Sequence, residues 1–532
     1  MDANRLTALR AELARQGLDG FIVPRADEHL GEYVPESAER LSWLTGFTGS
    51  AGIATVLADR AAVFTDGRYV LQLAAQTDSS QWAQLHVTDR PPPKWVAEHA
   101  AKGAKIGYDP LLIAEEGLAR YTDAGLTMVP ASRNPIDAIW TDRPMPPTGP
   151  AVPHALAHAG RSSEDKRADI GKILRDAKQD AAVLTDPASV AWLLNIRGGD
   201  VPFTPFALGF ALVHADGGTE LFMDPVKLPE PTRGWLGNGV SVAGRDALAP
   251  ALARLAGKMV RVDAAGSPVW FAQQLRAAGA TVVAASDPCL IPKARKNATE
   301  QQGMRDAHAR DAVAICRFLH WVDEHGTAST EMGAAEKLLA LRQDVPLFRG
   351  ESFPAISGAG EHGAIIHYRV TPETNRPIRP NEVYLIDSGG QYLDGTTDIT
   401  RTVWTGPGAA PAEVKARVTA VIRVISPSPP PFFRRGCRAR ISIASPAARS
   451  GRWVWTTITA PATALAAIYR STRGRSAFRA SPARSRSRRG WCCPTNLVTT
   501  CPIITVFGWK TSCWSGTPKL PTPASRFCGL KP

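Results

Sequence analysis

The chain has 532 residues, 44% of them apolar, and a formal net charge of +13 with a pI near 9.5. This length allows two to four domains with ample cores. No run of about 18 apolar residues predicts a membrane span, and the polar, helix-forming N-terminus lacks a signal-peptide core, so a cytoplasmic protein is expected.

The positive charge is confined to the C-terminal fifth of the chain. Residues 424–532 contain 18 Lys and Arg and no Asp, Glu or His, whereas residues 1–423 carry 44 Lys and Arg against 49 Asp and Glu, a net charge of −5. Six of the eight Cys residues also follow residue 423. A basic protein suggests nucleic-acid binding, but the body of this chain is acidic and poor in Cys, as in reduced cytosolic proteins.

Two segments of similar pattern predict two α/β domains in tandem, at 1–150 and 151–295. The first domain opens with an amphipathic helix stopped by Gly17 and continues into a strand and a small sheet. A Pro-rich stretch at 144–153 reads as a linker before the pattern returns. The corresponding elements are a helix over 4–16 and a strand over 20–23 in the first domain, and a helix over 167–178 and a strand over 181–184 in the second.

A third segment opens with a long helix predicted from Glu300 to about His325. Thr299-x-x-Gln302 resembles a capping box that would start this helix. Its apolar face has one polar interruption, Asp311. Three histidines of the helix are expected to be solvated or rim residues rather than metal ligands: His308, His320 and His325.

The stretch Tyr384–Thr402, YLIDSGGQYLDGTTDITRT, carries the clearest chemical pattern. Apolar, β-branched runs at 383–386 and 396–403 predict two strands joined by a tight Gly-rich turn. Such pairing brings Asp387 and Asp398 together, and two close carboxylates repel unless a proton or a cation lies between them. Hard oxygen ligands indicate an ion such as Mn²⁺, Mg²⁺ or Zn²⁺; the alternative is that both acids only cap turns.

Five motifs, in this order along the chain, resemble those of the three-domain, cytosolic Xaa-Pro aminopeptidases (aminopeptidase P): FTGSAGIATV, FTDGRY, NPIDAIWTDRP, GAIIHY and YLIDSGGQYLDGTTDITRT. These enzymes belong to the creatinase/methionine-aminopeptidase "pita-bread" metallopeptidases. The resemblance covers residues 1–423. It implies an α/β (α+β) fold with two creatinase-N-like domains, at 1–150 and 151–295, and the N-terminal half of a pita-bread catalytic domain at 296–423. Prolidases and creatinases share such a site, but the tandem N-terminal domains and DGTTDITRT favour aminopeptidase P.

The resemblance implies a metal-dependent enzyme that removes the N-terminal residue from peptides with proline in second position. The family's site holds two Mn²⁺, sometimes Zn²⁺ or Co²⁺, on two Asp, one His and two Glu, and the ions hold a hydroxide and polarise the scissile carbonyl. By the motif, Asp387 would bind one metal ion and Asp398 would bridge both. His367 would lie in the substrate pocket, and Arg68 would help to bind substrate. The family also implies a homodimer, peptide substrates, and neither a nucleic acid nor a membrane as partner.

The family motifs that supply the remaining His and Glu ligands do not occur in this chain. Read one base earlier, however, the tail codons permit five family segments in the right order, which is hard to obtain by chance. They are GHIAIS-x-AVFP at 424–434, DHGTGHG at 458–464, SVHEGP at 470–475, GMVLSNEPGYY at 490–500 and YGIRMENLV at 505–513. This pattern predicts a single-base frameshift beside Arg423, in the gene or in the sequencing read. The lost His would straddle Ala462/Thr463, and the lost Glu ligands would straddle Thr495/Asn496 and Trp509/Lys510.

The chain as printed thus keeps two of five metal ligands and no intact catalytic residue. We expect it to be inactive and poorly folded beyond about residue 300, with 424–532 an out-of-frame, disordered basic tail. Two alternatives remain: a non-catalytic pita-bread protein that binds peptides, and a nucleic-acid binder acting through the Arg-rich tail. Because the frameshift accounts for the arginines, no nucleic acid is expected.

Overall fold

The computed structural model describes residues 2–425. It is a mixed α/β structure, so the predicted fold class is confirmed. The tail predicted to be disordered and out of frame lies, beyond its first two residues, outside the described part of the chain. Among residues 2–425, no helix is long and apolar enough to span a membrane.

The N-terminal domain is a six-stranded mixed sheet flanked by helices. Its strands are β1 (Gly20–Pro24), β2 (Ile53–Leu57), β3 (Ala61–Thr65), β4 (Ala83–His86), β5 (Lys105–Tyr108) and β6 (Thr127–Pro130). Its helices are α1 (Asp2–Arg15), α2 (Arg40–Thr45), α3 (Val70–Gln76), α4 (Pro92–His99), α5 (Glu115–Asp123) and α6 (Pro135–Ile139). The strand order is β4–β3–β2–β1–β5–β6, a larger sheet than the sequence predicts, because β5 and β6 extend it beyond β1.

The first helix shows why the sequence pattern is informative in this domain. Leu6, Leu9 and Leu13 are at most 4% exposed and pack into the core beneath the sheet. Gly17 then takes φ +69°, a left-handed conformation that favours glycine and ends the helix. The predicted helix over 4–16 is therefore confirmed.

The middle domain repeats the same topology. Its strands are β7 (Val152–Pro153), β8 (Ala181–Leu184), β9 (Ile196–Arg197), β10 (Phe210–His214), β11 (Thr219–Phe222), β12 (Val240–Ala243), β13 (Met259–Val262) and β14 (Thr281–Ala284). Its helices are α7 (Leu156–Ala159), α8 (Ser163–Asp176), α9 (Pro187–Leu194), α10 (Glu230–Leu236), α11 (Leu248–Ala253), α12 (Val269–Ala277) and α13 (Leu290–Ala294).

The two six-stranded sheets agree strand by strand. The middle sheet has the order β12–β11–β10–β8–β13–β14, in which β8 takes the place of β1. In both sheets the central strand pairs antiparallel on one side and parallel on the other, and the outermost pairs are parallel. This agreement supports the duplication predicted from the sequence; the predicted boundaries at residues 150, 295 and 423 stay predictions.

The third domain packs helices over two small antiparallel sheets. Its helices are α14 (Ala298–His325), α15 (Glu331–Gln343) and α16 (Ala412–Ile425). Its strands are β15 (Phe348–Glu351), β16 (Ile356–Ala359), β17 (Val383–Ser388), β18 (Gly390–Tyr392), β19 (Gly395–Thr396) and β20 (Ile399–Trp404). One sheet has the order β15–β18–β19 and the other β16–β17–β20.

Residues 300–425 form helices and sheets around a shared core, contrary to the expectation of poor folding beyond about residue 300. Phe318 and Leu338, from the two long helices, share one core with Tyr384 and Ile386 of β17, all at most 1% exposed. The helix pair already covers the inner face of the β16–β17–β20 sheet, so this core closes within the residues that precede the tail.

The long helix α14 begins two residues earlier than predicted, and its capping box is a different one. The Asn297 side chain accepts from the Glu300 backbone N–H at 2.9 Å, and Glu300 Oε2 accepts from the Asn297 backbone N–H at 2.9 Å. Thr299 and Gln302 are therefore not the cap. The Asn297 amide also donates to the Ala159 carbonyl at 2.8 Å, which ties the start of the helix to the middle domain.

Candidate functional site

The stretch Tyr384–Thr402 forms a longer hairpin than the predicted pair of strands with a tight turn. Strands β17 and β20 pair antiparallel from Val383↔Trp404 to Ser388↔Ile399. The chain between them forms a second small hairpin, β18–β19, which joins β15 in the other sheet. The prediction of one tight turn was wrong because Gly389 lets the chain leave the first sheet instead of reversing within it.

The strand register places the two aspartates at the same end of the β17–β20 pair. Asp387 lies opposite Thr400, whose hydroxyl donates to Asp387 Oδ1 at 2.7 Å. Asp398 directly precedes Ile399, the first residue of β20, and its Oδ1 is buried. Ile399 pairs with Ser388, so both aspartates lie next to the last pair of the ladder.

A buried carboxylate below the hairpin holds it against the helices. Asp311, the polar interruption noted on the apolar face of α14, is 0% exposed. It pairs with Arg342 of α15 at 2.7 Å. It also accepts from the hydroxyls of Tyr392, at 3.0 Å, and Thr397, at 2.6 Å. Thr397 directly precedes Asp398, so this network fixes the segment that presents the second aspartate.

Close backbone packing fixes the same segment from the other side. A Cβ atom on Gly389 would lie 2.1 Å from the Thr397 carbonyl oxygen and 2.2 Å from the Ser352 hydroxyl. A Cβ on Gly303 of α14 would lie 2.3 Å from the Asp394 carbonyl oxygen. The glycines of DSGG and of the helix therefore allow contacts that no other residue permits.

His367 contacts a residue of the N-terminal domain. The hydroxyl of Tyr69 lies 2.9 Å from His367 Nδ1, and the rings meet edge to face with centroids 5.5 Å apart. His367 has φ +55°, a left-handed conformation that is strained for a residue with a side chain. Tyr69 follows Arg68 in the FTDGRY motif, but the sequence reasoning did not single it out.

Arg68 contacts the same tyrosine. Its guanidinium lies 5.2 Å from the Tyr69 ring centroid and binds both carboxylate oxygens of Asp66, at 2.7 to 3.1 Å. Burial alone would raise the pKa of Asp66, but the hydrogen bonds and charge of Arg68 outweigh it, and the pKa is held below its usual range. Arg68 also lies 3.7 Å from Glu32. Arg68 and His367 thus contact the same residue, Tyr69, and Asp387 and Asp398 lie at the same end of the β17–β20 pair.

A buried network below His367 was missed by the sequence reasoning. Glu331, the first residue of α15, is 0% exposed. It accepts from the Tyr368 hydroxyl at 3.1 Å and from the Ala359 backbone at 2.7 Å, and it contacts His362 Nδ1 at 2.9 Å. Burial, with a smaller contribution from this carboxylate, raises the pKa of Tyr368 to about 12. A Glu in the first helical turn is ordinary, so no sequence signal marked it.

Two of the three histidines of α14 are solvated, as predicted. His320 and His325 have side chains 70% and 60% exposed, and each contacts Glu324. His308 Nδ1 contacts the Met304 carbonyl at 2.7 Å.

The described residues offer ligands of the type found in a dinuclear metal centre, but too few of them. Asp387 and Asp398 offer the carboxylate oxygens that hard divalent ions take. Within residues 2–425, however, no group of three or more His, Cys, Asp or Glu side chains is placed to hold a metal ion. Two carboxylates alone do not fit a pair of ions.

Known protein families match almost the whole described part of the chain. The Creatinase/Prolidase N-terminal domain matches residues 5–138, and a second profile of that description matches 142–300. Metallopeptidase family M24 matches residues 302–426. The fold and the site therefore define a metallopeptidase of family M24 preceded by two creatinase/prolidase N-terminal domains.

Individual relatives narrow this class. A probable Xaa-Pro aminopeptidase P of Chaetomium globosum is 36% identical over 79% of this chain and 70% of its own length. Aminopeptidase P1 of Lotus japonicus is 32% identical over 79% of this chain and 74% of its own. The crystal structure of the X-prolyl aminopeptidase of Caenorhabditis elegans, described as a cytosolic enzyme with a di-nuclear active site, has a TM-score of 0.74 at 30% identity, over 80% of this chain and 73% of its own. The chain belongs to the Xaa-Pro aminopeptidase family, which are dinuclear metallopeptidases.

Proposed function

We propose that this chain derives from a metal-dependent aminopeptidase that removes the N-terminal residue from peptides with proline in second position. The observation that carries the proposal is the β17–β20 hairpin within the M24 domain, in which Asp387 lies opposite Thr400 and Asp398 directly precedes β20. Relatives at 32–36% identity bear the name of that activity.

In this proposal the four site residues have two roles. In the complete centre, Asp387 would bind one metal ion and Asp398 would bridge both, and the native ion would be Mn²⁺. His367 and Arg68 bind the peptide. The contacts of Tyr69 support the second role, because both the Arg68 guanidinium and the His367 imidazole contact this residue at the border between the N-terminal and third domains.

The printed chain lacks the rest of the centre, and we propose that a single-base frameshift beside Arg423 removed it. The match to family M24 supports this, since it ends at residue 426, three residues beyond the proposed lesion. The lost His, straddling Ala462/Thr463, and the lost Glu ligands, straddling Thr495/Asn496 and Trp509/Lys510, lie outside the described residues. The printed polypeptide is accordingly inactive, and no hydrolytic step is assigned to its residues.

Three further properties follow from the family. We propose a homodimer in the cytoplasm that acts on peptides rather than on nucleic acid or membranes. The Caenorhabditis elegans relative is described as cytosolic, which supports the location. Nucleic-acid binding through the Arg-rich tail would fall entirely outside the described residues.

A peptide-binding protein without catalysis is the second candidate. The observation in its favour is that the residues proposed to bind substrate are fully organised, whereas the residues proposed to bind metal are only half present. Retention of both aspartates argues against a long adaptation to such a role.

The test compares two proteins, one with the printed sequence and one with the reading frame restored beside codon 423. The frame-restored protein is expected to release the N-terminal residue from an Xaa-Pro tripeptide in the presence of Mn²⁺, and the printed chain is not. Asp387→Asn in the restored protein is the control for the metal site. Mn²⁺-dependent release by the printed chain would refute the proposed inactivity. The DNA should be read across codon 423. Tail codons that do not encode the family motifs in the shifted frame would refute the proposed frameshift.

A further inference from the structure

His367 lies at the end of a hydrogen-bonded chain that crosses from the N-terminal domain to the third domain. Glu32 Oε1 lies 3.0 Å from the Ser50 hydroxyl, which lies 2.7 Å from the Tyr69 hydroxyl. The Tyr69 hydroxyl lies 2.9 Å from His367 Nδ1. Ser50 and Tyr69 are 7% and 3% exposed, so water does not compete freely for these contacts.

The number of available protons determines which group donates in each of these hydrogen bonds. A carboxylate can only accept, and the Glu32 carboxylate lies 3.7 Å from the Arg68 guanidinium. The single Ser50 proton is therefore donated to Glu32. The Ser50 oxygen must then accept from Tyr69, whose own single proton is used in that contact. Towards His367, the Tyr69 oxygen can only accept.

We infer that the structure assigns a proton to Nδ1 of His367, and that Tyr69 is a positioning residue that holds the ring in this tautomer. The neutral ring then carries its lone pair on Nε2, which is the nitrogen that gains or loses the proton when the ring changes charge. As a neutral ring, His367 accepts from an N–H group of a ligand; as an imidazolium, it donates to a carbonyl or carboxylate oxygen.

The surroundings of the ring agree with this assignment. The Tyr69 ring meets the imidazole edge to face, and Arg68 covers the Tyr69 ring. Two carboxylates, Asp66 and Glu32, lie on the N-terminal domain side, and both are bound by Arg68. The N-terminal domain therefore sets the hydrogen-bonding state of a residue in the third domain. The functional meaning of this state rests on the proposed role of His367 in binding peptide.

The test is long-range ¹H–¹⁵N NMR of the full chain labelled with [¹⁵N]histidine, with His367→Asn used to identify the signal. Nδ1 of His367 is expected to resonate as a protonated nitrogen and Nε2 of the neutral ring as an unprotonated one. Tyr69→Phe removes the acceptor and should shift the ring towards the Nε2–H tautomer. Tyr108 lies in the same domain as Tyr69, and its hydroxyl accepts from Gln273 of the middle domain. Tyr108→Phe is the matched control and should leave the signal unchanged.

A second variant, Glu32→Gln, tests the donor and acceptor roles in this series of hydrogen bonds and keeps Ser50, Tyr69 and His367 intact. The amide of Glu32→Gln can donate to Ser50, so the chain can reverse and Tyr69 can donate to Nδ1. The expected result is a shift of His367 towards the Nε2–H tautomer. Glu39→Gln, at a carboxylate paired with Arg25 at 2.9 Å, should cause no shift. An Nε2–H tautomer in the unmodified chain, or a His367 signal insensitive to both Tyr69→Phe and Glu32→Gln, would overturn the inference.

Calorimetric binding of the tripeptide Ala-Pro-Ala separates this inference from the proposed function. If the peptide binds, Tyr69→Phe should weaken it by about fivefold, the effect of losing one ordinary hydrogen bond. If it does not bind while His367 shows the Nδ1–H tautomer, the proposed substrate role fails and the tautomer assignment stands.

Discussion

Asp311 and Arg342 form an ion pair that is buried between the two long helices of the third domain, with side chains 0% and 1% exposed and 2.7 Å between Nε and Oδ1. The same carboxylate accepts from hydroxyls at positions 392 and 397. The pair therefore does more than join α14 to α15, because it also fixes the hairpin that presents Asp398.

Removing one partner of this pair should be costly. Asp311→Ala leaves Arg342 buried without its counter-ion, and the free energy of unfolding of the third domain should fall by about 3–5 kcal/mol. Hydrogen exchange of the amides at 390–397 reports this directly, since those amides should lose protection first. Asp311→Leu combined with Arg342→Leu should destabilise less than Asp311→Ala alone. As a control, Glu413→Ala breaks an exposed pair with Arg417 and should change stability by less than about 1 kcal/mol. An Asp311 variant as stable as this control would contradict the role given to the pair.

Gly389→Ala should disrupt the departure of the chain from β17. The added methyl group would lie 2.1 Å from the Thr397 carbonyl oxygen, so the backbone must move, at an expected cost of about 1–3 kcal/mol. Gly234→Ala is the matched control, since nothing lies within 4 Å of its Cβ and it stands in helix α10. It should instead stabilise by about 0.5–1 kcal/mol. Urea unfolding followed by a third-domain signal distinguishes the two, and equal effects would show that the close contact at Gly389 is not rigid.

Arg68→Met should raise the pKa of Asp66. In the folded chain this pKa lies below its usual range, so the pair contributes stability that is present above the unfolded pKa and is lost as the pH falls through the folded pKa. Without Arg68, burial acts on Asp66 with its main partner gone, and the pKa should move above the ordinary value. Carboxyl ¹³C NMR measures the shift.

The control for Arg68 is an exposed pair of the same kind. The hydrogen bond from Arg60 lowers the pKa of Asp59, and both side chains are largely exposed. Arg60→Met should therefore return the Asp59 pKa to its ordinary value and no further. If Arg68→Met only returns the Asp66 pKa to its ordinary value, as expected for Asp59, burial does not raise the pKa of Asp66.

The middle domain should lose stability in acid through His154. Burial, with help from the nearby charges of Arg197 and Lys166, lowers the pKa of His154 to about 3. Because the folded pKa lies below the unfolded one, this contribution is present above about pH 6.5 and is lost as the pH falls towards 3. His154→Gln should make the unfolding midpoint less dependent on pH between 7 and 4, whereas His320→Gln, at an exposed site, should not. A His154 variant with an unchanged pH dependence would be the contrary result.

Much of the fold could be predicted because local pattern and packing agree. Leu6, Leu9 and Leu13 mark α1, and Ala181–Leu184 is an unbroken apolar strand at the centre of its sheet. The capping box at Asn297 was missed because Thr299 offers an equally good pattern two residues later, and only the contact with Ala159 favours the earlier one.

The site was predicted in part, for a physical reason. Asp387 and Asp398 are close in sequence, and the two β-prone runs beside them predict the strands that bring them to the same end of a hairpin. The contact between Tyr69 and His367 joins residues almost 300 positions apart, and Glu331 is marked only by burial. Contacts of that kind depend on how domains and helices pack, which the pattern of a single sequence does not specify.

We propose that Asp387 and Asp398 are one half of a dinuclear centre whose other half is encoded in the shifted frame. Metal content per chain, measured on purified protein after dialysis against Mn²⁺, tests it most directly. The frame-restored protein should hold two ions per chain and lose them on Asp398→Asn, because that residue is proposed to bridge both. The printed chain should hold less than one. Two ions in the printed chain, or none in the restored protein, would contradict the account.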